Sequence, residues 1–269
     1  MKLIKFTAAL IISLLSSVSI YAQNIVVSEY RHGSGVTAEE IELLVIEDNT
    51  TIVGYYIRDN SENDGWQGGV EFADVRLWRG LREGTIIVLR TRGQQQIDID
   101  ASDGYIEIGV ENTTYFTKRM SGGDISEWDS RALNFNTVHD MVQILNASDR
   151  NVHCLAHLES NTGDFAAISG AKLGHNGQII SGSSVSVYPG QVLSDYTQGF
   201  DQNNNYTAVI QRTIGFPNRE STNAGINQLF WRQLRQPEWD NPQFTQADLN
   251  PDTKRLTLRW NGADGSSIN

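Results

Sequence analysis

The chain has a single cysteine, Cys154, in 269 residues, so no intrachain disulfide can form. Core packing and hydrogen bonding must hold the fold without a covalent staple. Proline is scarce, with five in all, and no apolar run reaches the roughly 20 residues that cross a bilayer. Basic residues are also short: 21 Lys and Arg stand against 32 Asp and Glu, for a formal net charge of −11. Residues 1–22 hold two of those lysines and no acid, which leaves 19 basic against 32 acidic side chains beyond them. A body that acidic is repelled by phosphate backbones and anionic lipid surfaces, which excludes charge-driven nucleic-acid binding. With 39% hydrophobic and 20% charged residues, the chain is neither disordered nor fibrous and can bury a sizeable core.

What is present begins with an address. Lys2 and Lys5 precede an apolar run from Phe6 to Leu15, and a Ser-rich stretch then ends at Tyr21-Ala22. A positive start, a short apolar centre and a small exit residue make a secretory signal peptide, with cleavage expected after Ala22. A secreted chain without disulfides suits a bacterial envelope better than a small cystine-stapled ectodomain. The expected location is therefore secreted or cell-surface, with no membrane span left after cleavage.

Beyond Gln23, short β-branched segments alternate with turn residues. Ile25–Tyr30 comes first, and Ile41–Ile46 is an apolar run interrupted only by Glu42, as in a strand covered on both faces. Ile52–Ile57 is closed by the turn formers Asp59, Asn60 and Ser61, and Val70–Trp78 and Thr85–Leu89 follow. Ile97–Asp100 and Tyr105–Val110 read as a hairpin across Ala101–Gly104, and Val142–Leu145 with Val152–Leu158 as another across Asn146–Asp149. Later candidates are Ile179-Ile180, Val185–Tyr188 and Ala208–Gln211. This spacing predicts an all-β protein, a sandwich of two antiparallel sheets. Helical spacing occurs only near Ser221–Gln236, at Ile226, Leu229, Phe230 and Leu234, and is compatible with a short connecting helix.

Several segments in order carry a resemblance. VVSEY (Val26–Tyr30), EEIELLV (Glu39–Val45) and GYYIRDN (Gly54–Asn60) are followed by GTIIVLR (Gly84–Arg90), MVQILNASDRNVHCLAH (Met141–His157) and TIGFPN (Thr213–Asn218). Together they resemble the lamin-tail domain family in its secreted bacterial branch, with Tyr55 where the family usually has Trp. That resemblance implies an immunoglobulin-like β-sandwich over residues 23–220, with a long insertion at about 92–133. It also implies a non-catalytic module for adhesion, anchoring or substrate targeting. Residues 221–247 are expected to be a linker. Arg255–Trp260 (RLTLRW) with its Asn261–Gly265 loop resembles the start of a fibronectin type III-like domain, expected over 248–269 and cut short. Such a domain needs about 100 residues, so the sequence reads as a piece of a larger multidomain surface protein. One alternative makes this sandwich the accessory domain of a secreted hydrolase whose catalytic domain lies beyond Asn269. A further alternative is a calcium-stabilised surface module.

Four constellations bear on chemistry. Glu29 and Glu42 fall in neighbouring strands, and two carboxyls at suitable separation run glycoside hydrolysis; the favoured reading makes both structural members of the family motif. His153, Cys154 and His157 would grip zinc on a helix. On a strand, Cys154 points away from the two histidines, which predicts exposed histidines and a core cysteine. Oxygen donors recur in Asp59–Gly65 and Asp98–Gly104, yet glycine falls at position seven of each rather than six, so neither is a helix-loop-helix calcium loop. Looser calcium binding there is the one cofactor left open; otherwise none is expected. No Gly-x-Ser-x-Gly elbow occurs, and His32–Gly35 lacks the lysine of a phosphate loop. No catalytic residue is assigned. Of six tryptophans, Trp66 and Trp128 stand in polar surroundings and are the speculative contacts for a protein or polysaccharide partner.

Overall fold

The computed structural model describes residues 23–33, 39–61, 65–119, 133–157, 163–175, 177–187, 206–209, 214–215, 243–250, 255–261 and 267–268. The signal-peptide reading, the helix expected near 221–236 and Trp128 lie outside the described residues. Among the described residues the fold is all-β, a sandwich of two sheets with almost no helix. Strands β1 (Ile25–Arg31), β2 (Glu40–Val45), β5 (Ile86–Arg90), β6 (Gln96–Asp98), β7 (Tyr105–Gly109), β12 (Ser184–Val187) and β13 (Tyr206–Val209) form one sheet. Its order is β13-β12-β1-β2-β5-β7-β6. The other contains β3 (Tyr56–Ser61), β4 (Gly65–Phe72), β8 (Phe116–Arg119), β9 (Asp140–Leu145), β10 (Asn151–His157) and β11 (Leu173–His175). Its order is β11-β10-β9-β3-β4-β8.

Both sheets are mixed, which corrects the expectation of purely antiparallel ones. β5 pairs parallel with β7 because β6 is laid outside β7 before the chain returns. β10 pairs parallel with β11 because helix α1 (Gly163–Ala167) carries the chain across between them. The span 92–133, expected as an insertion, supplies β6, β7 and β8 to these sheets, and Ile106, Ile108 and Phe116 within it are core residues.

Alternation puts Ile41, Leu43, Ile87, Leu89, Ile57, Ile144 and Leu155 into the core between the sheets. β2 (EIELLV) is buried along its whole length, its two glutamates included, because its outer face also carries a cover. There Arg31 and Arg90 pair with Glu40, and Arg90 reaches Glu107, whose other oxygen accepts from the Tyr105 hydroxyl at 2.7 Å. The turn-forming residues Asp59, Asn60 and Ser61 are not a turn. They end strand β3, paired on one side with β4 and on the other with β9, and two ladders outweigh local turn preference. Gly69 in β4 crosses β3 so closely that a Cβ there would lie 1.8 Å from the Ile57 carbonyl oxygen. Only glycine allows that contact.

One end of the core is aromatic. Trp78 lies in a 3₁₀ turn (Arg76–Trp78), packs edge-on against Phe72 at 4.9 Å and donates from Nε1 to the Tyr115 carbonyl. A third, three-stranded sheet joins β14 (Gln243–Asn250), β15 (Arg255–Asn261) and β16 (Ser267–Ile268) in antiparallel pairing. Its first strand begins within the span expected as a linker.

Candidate functional site

Glu29 and Glu42 stand directly opposite each other in β1 and β2, as their strand positions predict, and both are 0% exposed. Glu42 accepts the Ser28 hydroxyl on Oε1 and the Gly215 amide on Oε2, each at 2.7 Å. Burial first, then the facing Glu29 charge, pushes the Glu42 carboxyl well above the usual carboxylate range. Facing Glu29 without solvent between the strands disfavours the charged form of Glu42. Gly215, in the TIGFPN segment, thus reaches Glu42 from 173 residues further along the chain and satisfies its second oxygen.

A second buried polar set gathers where β1, β3, β9 and β10 meet. The Tyr30 hydroxyl lies 2.6 Å from His157 Nδ1 and donates to the Asp140 carbonyl oxygen at 2.9 Å. Asp140 Oδ2 accepts the Asn136 amide and Oδ1 the Met141 amide, while Asp59 Oδ2 accepts the Asn134 amide at 3.1 Å. Desolvation raises Asp59 to about 7 and Glu39 to about 7, and Asp140 well above its usual range. Desolvation, and after it the proximity of His139, His175 and His32, lowers His157 to about 3. At neutral pH this end holds a neutral imidazole and at least partly protonated acids, as in an acid–base device. All of these acids and His157 are nevertheless buried, and backbone amides occupy the oxygens named above.

The strand reading of residues 153–157 has the right parity and the wrong polarity. His153 and His157 are fully buried on the inner face and are not exposed. The β-bulge between Val27 and Glu29 frees the Val27 amide from the ladder, and it donates to His153 Nδ1 at 3.1 Å. Cys154 faces outward from the sheet, yet is buried too, because Phe165 of α1 and Ile168 cover it together with Met141. Burial pushes its thiol far up, away from reactivity. No signal in the sequence marks that helical cover.

Among the described residues no group of three or more His, Cys, Asp or Glu is arranged to hold a metal ion. Of the first calcium candidate, Asp59 is an interior residue and residues 62–64 lie outside the described ones. In the second, Asp98 Oδ1 accepts the Asp100 amide and Asp100 Oδ1 the Ser102 amide, so both carboxylates cap a local turn. Trp66 sits in β4 rather than in a loop, half-buried, with the Arg58 guanidinium 3.8 Å over its ring. That stacking occupies one face of the indole.

The cleft with volume lies elsewhere. Between the Arg76–Trp78 turn and the Ile99–Ser102 segment opens a depression of about 790 Å³ lined by Arg76, Arg79 and Arg82. The three-residue arginine spacing is visible in the sequence, but its convergence with the distant β6–β7 connection is not. Among the described residues no helix is long and apolar enough to cross a membrane. Compared with family models, with curated proteins and with solved structures, the chain gives no match.

Proposed function

We propose that this chain is a secreted, non-catalytic binding module, an immunoglobulin-like sandwich of lamin-tail type, serving adhesion, anchoring or substrate targeting at a bacterial surface. In this reading it is one part of a larger multidomain protein whose later modules begin with the fibronectin type III-like tail. The observation that supports it is the sealing of two clusters of acid–base groups from solvent. Glu29, Glu42, Asp59, Asp140, His153 and His157 are each 0% exposed. A general acid or base must reach a substrate proton within hydrogen-bond distance, and groups closed off from solvent serve the fold instead.

The test is turnover by the full chain on ester, phosphate monoester and glycoside chromogenic substrates. The expected result is no turnover above a heat-denatured control. Turnover that Glu42→Gln or Asp140→Asn abolishes, while the melting temperature holds, would replace this reading with a hydrolase.

A further inference from the structure

An acidic chain that concentrates positive charge in one place invites the question of what meets it. Residues 76–82, RLWRGLR, put three arginines into one short segment. Trp78 anchors the segment in the aromatic end of the core. Arg76 opens the 3₁₀ turn and Arg79 caps it, its backbone amide donating to the Arg76 carbonyl oxygen. Arg82 follows them, and all three line the cleft, whose apolar lining includes Leu77, Leu81 and Ile99. Arg79 pairs with Asp74 at the surface, and Arg82 donates to the Ser102 carbonyl at 3.1 Å. Among the described residues the Arg76 side chain has no partner. Asp100 is the one acid among the described lining residues, and its carboxylate already accepts the Ser102 amide.

An independent feature adjoins the cleft. β6 is the outermost strand of its sheet, and the chain passes from it directly into Ile99 and Asp100. Ile97 is 51% exposed and Ile99 40%, two of the four large apolar side chains exposed among the described residues. An outer strand edge beside exposed isoleucines is a surface for adding a strand.

We propose that the arginine cleft and the β6 edge bind an extended acidic peptide segment of a partner protein, one with aliphatic side chains between its carboxylates. The proposal names the partner class for the binding-module reading and rests on it. Guanidinium groups take carboxylates in two-pronged, charge-assisted hydrogen bonds, the aliphatic lining takes aliphatic side chains, and β6 supplies main-chain pairing. A sugar chain would ask for open aromatic faces. Among the described lining residues the one aromatic ring is Tyr115, which is engaged edge-on with Trp78.

The test is fluorescence anisotropy with a labelled octapeptide alternating Asp and Leu, added to the full chain. Saturable binding is expected with a Kd on the order of tens of micromolar, weakening as salt rises. Arg76→Glu, which breaks no side-chain hydrogen bond or ion pair among the described residues, should weaken binding about tenfold or more with an unchanged melting temperature. Arg76→Lys should fall between, and a Lys-Leu octapeptide should not bind. Absence of saturable binding up to about 1 mM peptide, or equal affinity in Arg76→Glu, would overturn the proposal. So would polygalacturonate that displaces the peptide and binds more tightly, which would make the cleft a glycan groove. Mass spectrometry of the recovered peptide separates the two levels of the argument. An intact but unbound peptide sinks the cleft proposal alone, whereas a cleaved one sinks the non-catalytic reading.

Discussion

The substitution Asp59→Asn tests whether the buried acids are held protonated by the fold. In the folded chain the Asp59 carboxyl titrates at about 7, chiefly because burial disfavours its charge. Unfolded, it titrates near 3.9. A carboxyl raised in this way binds its proton more tightly in the folded state. Its contribution is therefore fully present below about pH 4 and is lost as the pH rises through about 7. Integrating that linkage from about pH 5 to about pH 8 gives a loss of about 2.5 kcal/mol from this group alone. An asparagine side chain carries no titrating proton and keeps an oxygen to accept the Asn134 amide, which Asp59 now accepts at 3.1 Å. The assay is urea unfolding, followed by tryptophan fluorescence, of both proteins at the two pH values. The variant should gain about 2.5 kcal/mol relative to the parent on going from the lower to the higher pH. The parent should still lose stability from Glu39, Glu42 and Asp140, whose carboxyls are raised as well. His157, His32 and His175 are lowered and act on the other side, removing stability as the pH falls below about 6.5. Parallel stability profiles for parent and variant would refute the reasoning, because Asp59 would then be an ordinary ionised carboxylate.

Two further outcomes follow from close packing and hydrogen bonding. Gly69→Ala should destabilise the chain by more than about 3 kcal/mol or prevent its folding, because its methyl group would lie 1.8 Å from the Ile57 carbonyl oxygen. Urea midpoints check this, and an unchanged midpoint would mean that β3 and β4 do not cross so tightly. Tyr30→Phe should cost about 1–3 kcal/mol, since it strips His157 Nδ1 and the Asp140 carbonyl of a fully buried partner. A neutral effect in thermal melts would show that water or another group satisfies them.

The fold was largely legible because its signals were local. The mostly apolar run of β2 and the β6–β7 and β9–β10 hairpins read correctly, and each depends on residues close in sequence. What failed was non-local. Asp59, Asn60 and Ser61 have turn chemistry, yet strands on both sides pair with them, and no local propensity reports on a neighbour more than 70 residues away. His153 and His157 look like solvent-facing residues until the Val27 amide and the Tyr30 hydroxyl are brought across from the other sheet. Strand parity sets Cys154 on the face opposite the histidines, but the cover that buries it is α1, a five-residue helix too short to leave a period. The carboxyl pair was legible as a pair because Glu29 and Glu42 lie in adjacent strands. Its sealing was not, because the lid comes from Gly215, 173 residues beyond Glu42.

The most direct test of the central claim, that the acid–base groups belong to the interior, is carbodiimide labelling of carboxyls on the native full chain, read residue by residue by mass spectrometry. Asp74 and Asp149, at the surface in ion pairs with side chains 73% and 59% exposed, should label readily. Glu29, Glu42, Asp59 and Asp140 should stay unmodified until the chain is unfolded. Labelling of Glu29 and Glu42 in the native protein at rates near those of the surface carboxyls would contradict the account, because a reagent that enters shows a path that a substrate can take.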